Sequence, residues 1–171
     1  GLGDVFFSRL SSNGQVLQAS TYLRGSDQEY AKSISLNDQN EVFILGATKS
    51  TDFPVTSASS HAGGFDAFLT SLTSNGGLVN ESRYLGGSQN DYPRAAASLW
   101  IDGEDAALAI TTHSPDALTT SDTYQPTKTN GIEDTPWLLA VVNDAILDLE
   151  VNEWKLEWQN PGLSTRISWS S

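Results

Sequence analysis

The chain of 171 residues carries 21 acidic side chains against 9 basic ones, a formal net charge of −12, and has neither cysteine nor methionine. Disulfides and thiolate metal sites are thereby excluded, and so negative a surface repels phosphate backbones, which makes nucleic acid and anionic membrane poor partners. Apolar residues are 38% of the sequence, and no run of them approaches the roughly 18 that a bilayer helix needs, so membrane insertion is not expected.

In chain order, VFFSRL (5–10) and VLQASTYL (16–23) are strand-like runs on either side of SSNGQ. Asn13-Gly14 between them predicts a hairpin, on the expectation that both residues take positive φ. SISL (33–36) and VFILGA (42–47) flank NDQNE and predict a second hairpin. With four strands in about 62 residues, the expectation is one antiparallel sheet per unit, joined by a turn-rich link to the next. No segment has a 3.6-residue apolar period, so helix should be nearly absent.

The phrase TYLRGSDQEY (21–30) then returns as RYLGGSQNDY (83–92). Aligned at an offset of 62, residues 4–30 and 66–92 are identical at 12 of 27 positions, where chance gives about two. Among the recurring positions are Asp4/Asp66, Asn13/Asn75, Gly14/Gly76, Tyr22/Tyr84 and Gly25/Gly87. After a two-residue slip, read as a loop insertion, the match resumes at offset 64 with Thr48/Thr112, Ser50/Ser114 and Asp52/Asp116. A third copy begins near Asp134, where DTPWLLAVVNDAIL (134–147) keeps the pattern more than the identities. Beyond it, EWKLEW (153–158) and TRISW (165–169) read as strands with one buried face. The organisation predicted is a first unit over 1–63, a second over 64–131, and a divergent third unit or cap over 132–171. The absence of Met at position 1 reads as that of a processed or excised piece from which a signal peptide could have been removed.

Four-stranded sheets repeated at this spacing are the signature of a β-propeller, whose blades pack face to face around an axis. The phrases GFDAFLTSLTSNGGL, SRYLGGSQNDYPRA and GATKSTDFPVT, with TYQPT in the next unit, resemble the bacterial seven-bladed propeller repeats often labelled SBBP. The likeness runs from Gly3 to about Val142. It departs at Arg24, which stands where the first glycine of a Gly-Gly pair is usual, and at SPDALTT in place of the STDFP phrase. The resemblance implies an all-β propeller in secreted or surface-attached bacterial proteins, with no general catalytic activity.

The residues that recur are candidates for chemistry or for architecture. Asp4, Asp66 and Asp134 precede the first strand of each unit, while Glu29 and Asp91 follow a Gly-Ser corner. Calcium is the metal that such an acidic chain would suit, but neither NDQNE nor DGEDA has the ladder of alternating oxygen ligands that a calcium loop uses. The favoured reading is that these carboxylates accept backbone N–H bonds at tight turns, with no cofactor. Asp52, Asp116, Gly25, Gly87 and the two Asn-Gly pairs are read likewise as structural.

Tyr22 and Tyr84 end strands just before a glycine corner, where a ring packs between blades. Trp100, Trp137, Trp154, Trp158 and Trp169 do not recur at one repeat position, which weakens a lectin reading built on one aromatic per blade. His61 and His113 lie in polar loops at inequivalent positions, and no G-x-S-x-G nucleophile elbow exists, so no catalytic residue is assigned. The function expected is a noncatalytic extracellular or cell-surface structural or interaction module. Its partners would be further copies, neighbouring blades, or surface proteins and glycans. A carbohydrate-binding propeller is the alternative.

Overall fold

A computed structural model describes residues 3–77, 79–94, 99–102, 105–117 and 119, with the backbone of one further strand at Trp137–Val142. Expected features at Asp134 and in the 153–158 and 165–169 runs lie outside the described residues.

The described residues are all-β, without a helix. Strands β1 (Val5–Leu10) and β2 (Leu17–Leu23) form a two-stranded antiparallel sheet. A second sheet runs β3 (Glu29–Leu36), β4 (Val42–Thr48), β5 (Asp66–Leu72) and β6 (Val79–Leu85), each antiparallel to the next. In the third, β9 (Asp105–Thr112) pairs on one side with β10 (Trp137–Val142) and on the other with β7 (Asp91–Tyr92) and β8 (Leu99–Asp102).

The hairpins form where the sequence puts them, but by a different turn chemistry. Gly14 and Gly76 take φ of +72° and +67°, whereas Asn13 and Asn75 are not in the positive-φ region. Instead each asparagine side chain stabilises its own turn. Asn13 Oδ1 accepts from Gln15 N and Ser11 Oγ, and Asn75 Oδ1 from Gly77 N and Thr73 Oγ1. Gly14 N donates to Ser11 O and Gly76 N to Thr73 O, closing a four-residue turn whose last residue is left-handed. That geometry adds a residue to one strand, which is why the register shifts at Arg9/Leu10 and again at Ser71/Leu72. The β3–β4 turn uses Asn40, at φ 62°, in the same left-handed position.

The expected phase of the sheets is corrected. The four strands of one sequence unit do not share a sheet: β4 pairs with β5 across the boundary at 63/64, in register from Val42↔Leu72 to Thr48↔Asp66. The middle sheet takes β3 and β4 from the first unit and β5 and β6 from the second, and β9 likewise pairs with β10 across the boundary at 131/132. The reason is the β2–β3 corner, which turns the chain out of the β1–β2 plane, while the long link from Ser50 to Phe65 carries β5 back beside β4. The two-residue slip does not lengthen a hairpin loop either. It falls after Tyr92, where β7 ends and Pro93 and Arg94 lie outside the strand.

The middle sheet is buried on both faces at β4 and β5 and over the end of β6, while β3 at its edge is mostly exposed. Val42 and Ile44 of β4, Phe68 and Leu72 of β5, and Tyr84 of β6 pack with Val5, Phe7 and Leu23 of the first sheet. Leu45, Ala67, Leu69 and Leu85 point the opposite way, against Leu99, Ala106, Leu108 and Ile110 of the third. Three antiparallel sheets thus stack face to face, with β5 buried along its whole length.

Candidate functional site

The densest polar cluster of the described residues lies at the corners where β2 meets β3 and β6 meets β7, and it is built twice. At the first corner, Asp52 Oδ1 accepts from Ser26 N at 2.8 Å and Ser26 Oγ at 2.9 Å. Ser50 Oγ accepts from Asp27 N at 2.8 Å and donates to Glu29 Oε1 at 2.5 Å, to which Thr48 Oγ1 also donates. At the second, Asp116 Oδ1 accepts from Ser88 N and Ser88 Oγ at 2.9 and 2.8 Å. Ser114 Oγ accepts from Gln89 N and donates to Asp91 Oδ2 at 2.7 Å. The backbone follows suit: Glu29 N donates to Gly3 O and Asp91 N to Phe65 O, Lys49 N to Gln28 O and His113 N to Asn90 O.

The two glycines are required by this closeness. A β-carbon on Gly25 would lie 2.3 Å from Ser50 Cβ and 2.7 Å from Asp52 Oδ1, and one on Gly87 would lie 2.7 Å from both Asp116 Oδ1 and Ser114 Cβ. Exposed as they are, Asp52 and Asp116 are held below the usual carboxyl range by the backbone N–H and hydroxyl of Ser26 and Ser88 respectively. Their role is to accept N–H bonds at a turn.

Asp66 departs from this pattern. It is buried at the start of β5, where its Oδ2 accepts from Ala62 N at 2.7 Å and its Oδ1 has no hydrogen-bond partner. Burial pushes its carboxyl above the usual range; the Ala62 N–H and the nearby His61 pull the other way, and the charges of Asp91 and Asp116 add to the rise. A β-carbon on Gly86 would sit 2.7 Å from Asp66 Oδ1 and 2.8 Å from Asp91 Oδ2, so the two carboxylates converge on that glycine. Its repeat counterpart Asp4 is exposed before β1. Among the described residues no three His, Asp or Glu side chains converge as a bound metal ion would require.

The recurring tyrosines have different surroundings. Tyr84 is buried between sheets, donates its hydroxyl to Ser50 O at 2.8 Å, and lies beside Phe53 and edge-on to His61. Tyr22 is exposed beside Phe6. Trp100 is half exposed on β8, and Trp137 lies in β10. His113 packs edge-on against Tyr92 and contacts Asn90 O through Nδ1.

Sequence reasoning had the recurrence of Thr48/Thr112 and Ser50/Ser114 but assigned them no role. Thr48 and Ser50 are the hydroxyls that fix the Glu29 carboxylate and Ser114 the one that fixes Asp91, while Thr112 Oγ1 accepts from Ser114 N. Ser26/Ser88 and Glu29/Asp91 repeat at offset 62, and Thr48/Thr112, Ser50/Ser114 and Asp52/Asp116 at 64, so the constellation is hidden from an alignment at any one offset. No protein-family model matches the chain, and no curated protein matches its sequence.

Proposed function

We propose that the chain is a noncatalytic module of β-propeller type, a piece of an array like the SBBP repeats, that works as a structural or protein-interaction element outside the cell or on its surface. The observation that carries this reading is the duplicated corner. The polar groups that recur, Glu29/Asp91, Ser50/Ser114 and Asp52/Asp116, bond to one another and to the backbone of the same corner, with one oxygen of Glu29 and one of Asp91 left unpaired. Repetition here serves the joining of one sheet to the next, as stacked architectures require.

The packing of β4, β5 and β6 against a sheet on each face supports the propeller arrangement, since blades pack in this manner. The carbohydrate-binding alternative is less well supported, because a lectin would reuse an exposed ring in each repeat and Tyr84 is buried where Tyr22 is open. Partners of the module are further blade-like repeats, from its own polypeptide or from another copy.

Light scattering on the purified chain over a concentration series tests the reading. Reversible, concentration-dependent association is the expected result. A concentration-independent monomer that binds glycans in a screen would favour the lectin instead.

A further inference from the structure

Repeat-equivalent residues occupy opposite environments in this chain. Phe68 and Tyr84 are 0% and 4% exposed, while Phe6 and Tyr22, their counterparts 62 residues earlier, are 65% and 71% exposed. What covers Phe68 and Tyr84 includes one contiguous segment. Strand β4 pairs along β5, the ring of Phe53 lies 4.4 Å from that of Phe68, and Ser50 O accepts the Tyr84 hydroxyl. Nothing among the described residues plays these parts for β1–β2: β1 pairs with β2 alone.

A second feature lies beside that open edge. Ile34 and Leu36 of β3 are cross-strand partners of Ile44 and Val42, both buried under the first sheet, yet they are 62% and 58% exposed. The sheet above them stops at β1. A groove of about 360 Å3 runs there, lined by Val5–Ser8 on one side and by Ala31–Ile34 and Ile44 on the other. A strand hydrogen-bonded to the free edge of β1 would fill it and cover the exposed apolar side chains beyond.

We propose that the free edge and outer face of β1–β2 are a docking surface for a segment like residues 29–55 of this chain, a β3–β4 hairpin followed by its Ser-Thr-Asp-Phe-Pro loop, supplied by a preceding repeat. The inference rests on the reading of the chain as part of an array. Its two strands continue the sheet at β1 and roof Ile34 and Leu36, its loop phenylalanine lies against Phe6, and a carbonyl of its corner accepts the Tyr22 hydroxyl. A second copy of the chain is the poorer donor, because both described segments of this type are already paired, β4 with β5 and β9 with β10.

The test is the 171-residue chain extended at its start by a second copy of residues 25–62, which meets Gly1 with the spacing by which Ala62 meets Gly63. In the extended chain the amides of β1 should exchange with solvent at least about tenfold more slowly. Tyr22→Phe and Phe6→Ala, neutral in the original chain, should lower the melting temperature of the extended one, Tyr22→Phe to the extent that Tyr84→Phe does. Unchanged exchange in β1, with both substitutions still neutral, would overturn the proposal. So would an extended chain that self-associates through Phe6 as strongly as the original, since that result assigns the face to a second copy. Whether the array closes into a ring is read separately, by electron microscopy of particles, and neither outcome there alters these readouts.

Discussion

Asp52 and Asp116 hold their corners as charged acceptors, and Asp66 sits as a buried acid with one oxygen unpaired, so the three respond to pH with opposite signs. A carboxyl whose pKa is lowered on folding, as at Asp52 and Asp116, contributes stability above its unfolded value near 3.8 and loses it as pH falls through the folded one. Asp116→Ala should therefore lower the urea midpoint at neutral pH, by a difference that fades in acid. For Asp66, raised by burial, the contribution is present below 3.8 and is lost as pH rises through the folded value. Asp66→Asn keeps an oxygen for Ala62 N–H without the buried charge, so it should gain on the unaltered chain as pH rises above that window. Urea titrations of both variants at several pH values check the pair, and a parallel pH response would contradict these roles.

Strand β5 is the most constrained element, since it is buried on both faces and paired on both edges. Phe68→Ala should cost about 3–5 kcal/mol, as for other buried aromatic truncations. Phe6→Ala, the same change one repeat earlier, should stay within about 0.5 kcal/mol, as exposed substitutions do. Urea unfolding of the two variants is the measurement. This contrast marks how far the sequence was legible. Alternating runs and Asn-Gly turns placed β1, β2, β4 and the hairpins, because those signals act between neighbours in the chain. Sheet membership was not legible, because whether the sheet continues from β2 to β3 or from β4 to β5 depends on the corner and link that the Ser26–Asp52 contact ties together. The recurring tyrosine was half legible: packing between sheets holds for Tyr84, and Tyr22 has the residue type without the neighbour.

Across the whole chain, the half-repeat offset between sequence unit and sheet changes what a unit is. A hydrogen-bonded sheet that draws two strands from each of two units ties those units together through backbone pairing as well as through side-chain burial, so a sequence unit such as 1–63 lacks a complete sheet of its own. The face at β1–β2 and the floor at Ile34 and Leu36 are open together because the two-stranded sheet that covers Val42 and Ile44 ends at β1. The acidic surface suits such an array, since like charge on the exposed surfaces opposes indiscriminate association.

Because the chain has no cysteine, the pairing of β4 with β5 across the unit boundary can be read by introducing two. The double variants Phe43→Cys with Ser71→Cys, and Ile44→Cys with Thr70→Cys, stand at consecutive register positions, one of which is the closely spaced kind that admits a disulfide. Mild oxidation of the folded protein should give an intrachain disulfide in one of the two, seen by mass spectrometry as a peptide joining β4 to β5. Failure of both pairs to close in folded protein, with ready closure of a cysteine pair placed between β2 and β3, would mean that each unit keeps its own four strands and would contradict the account.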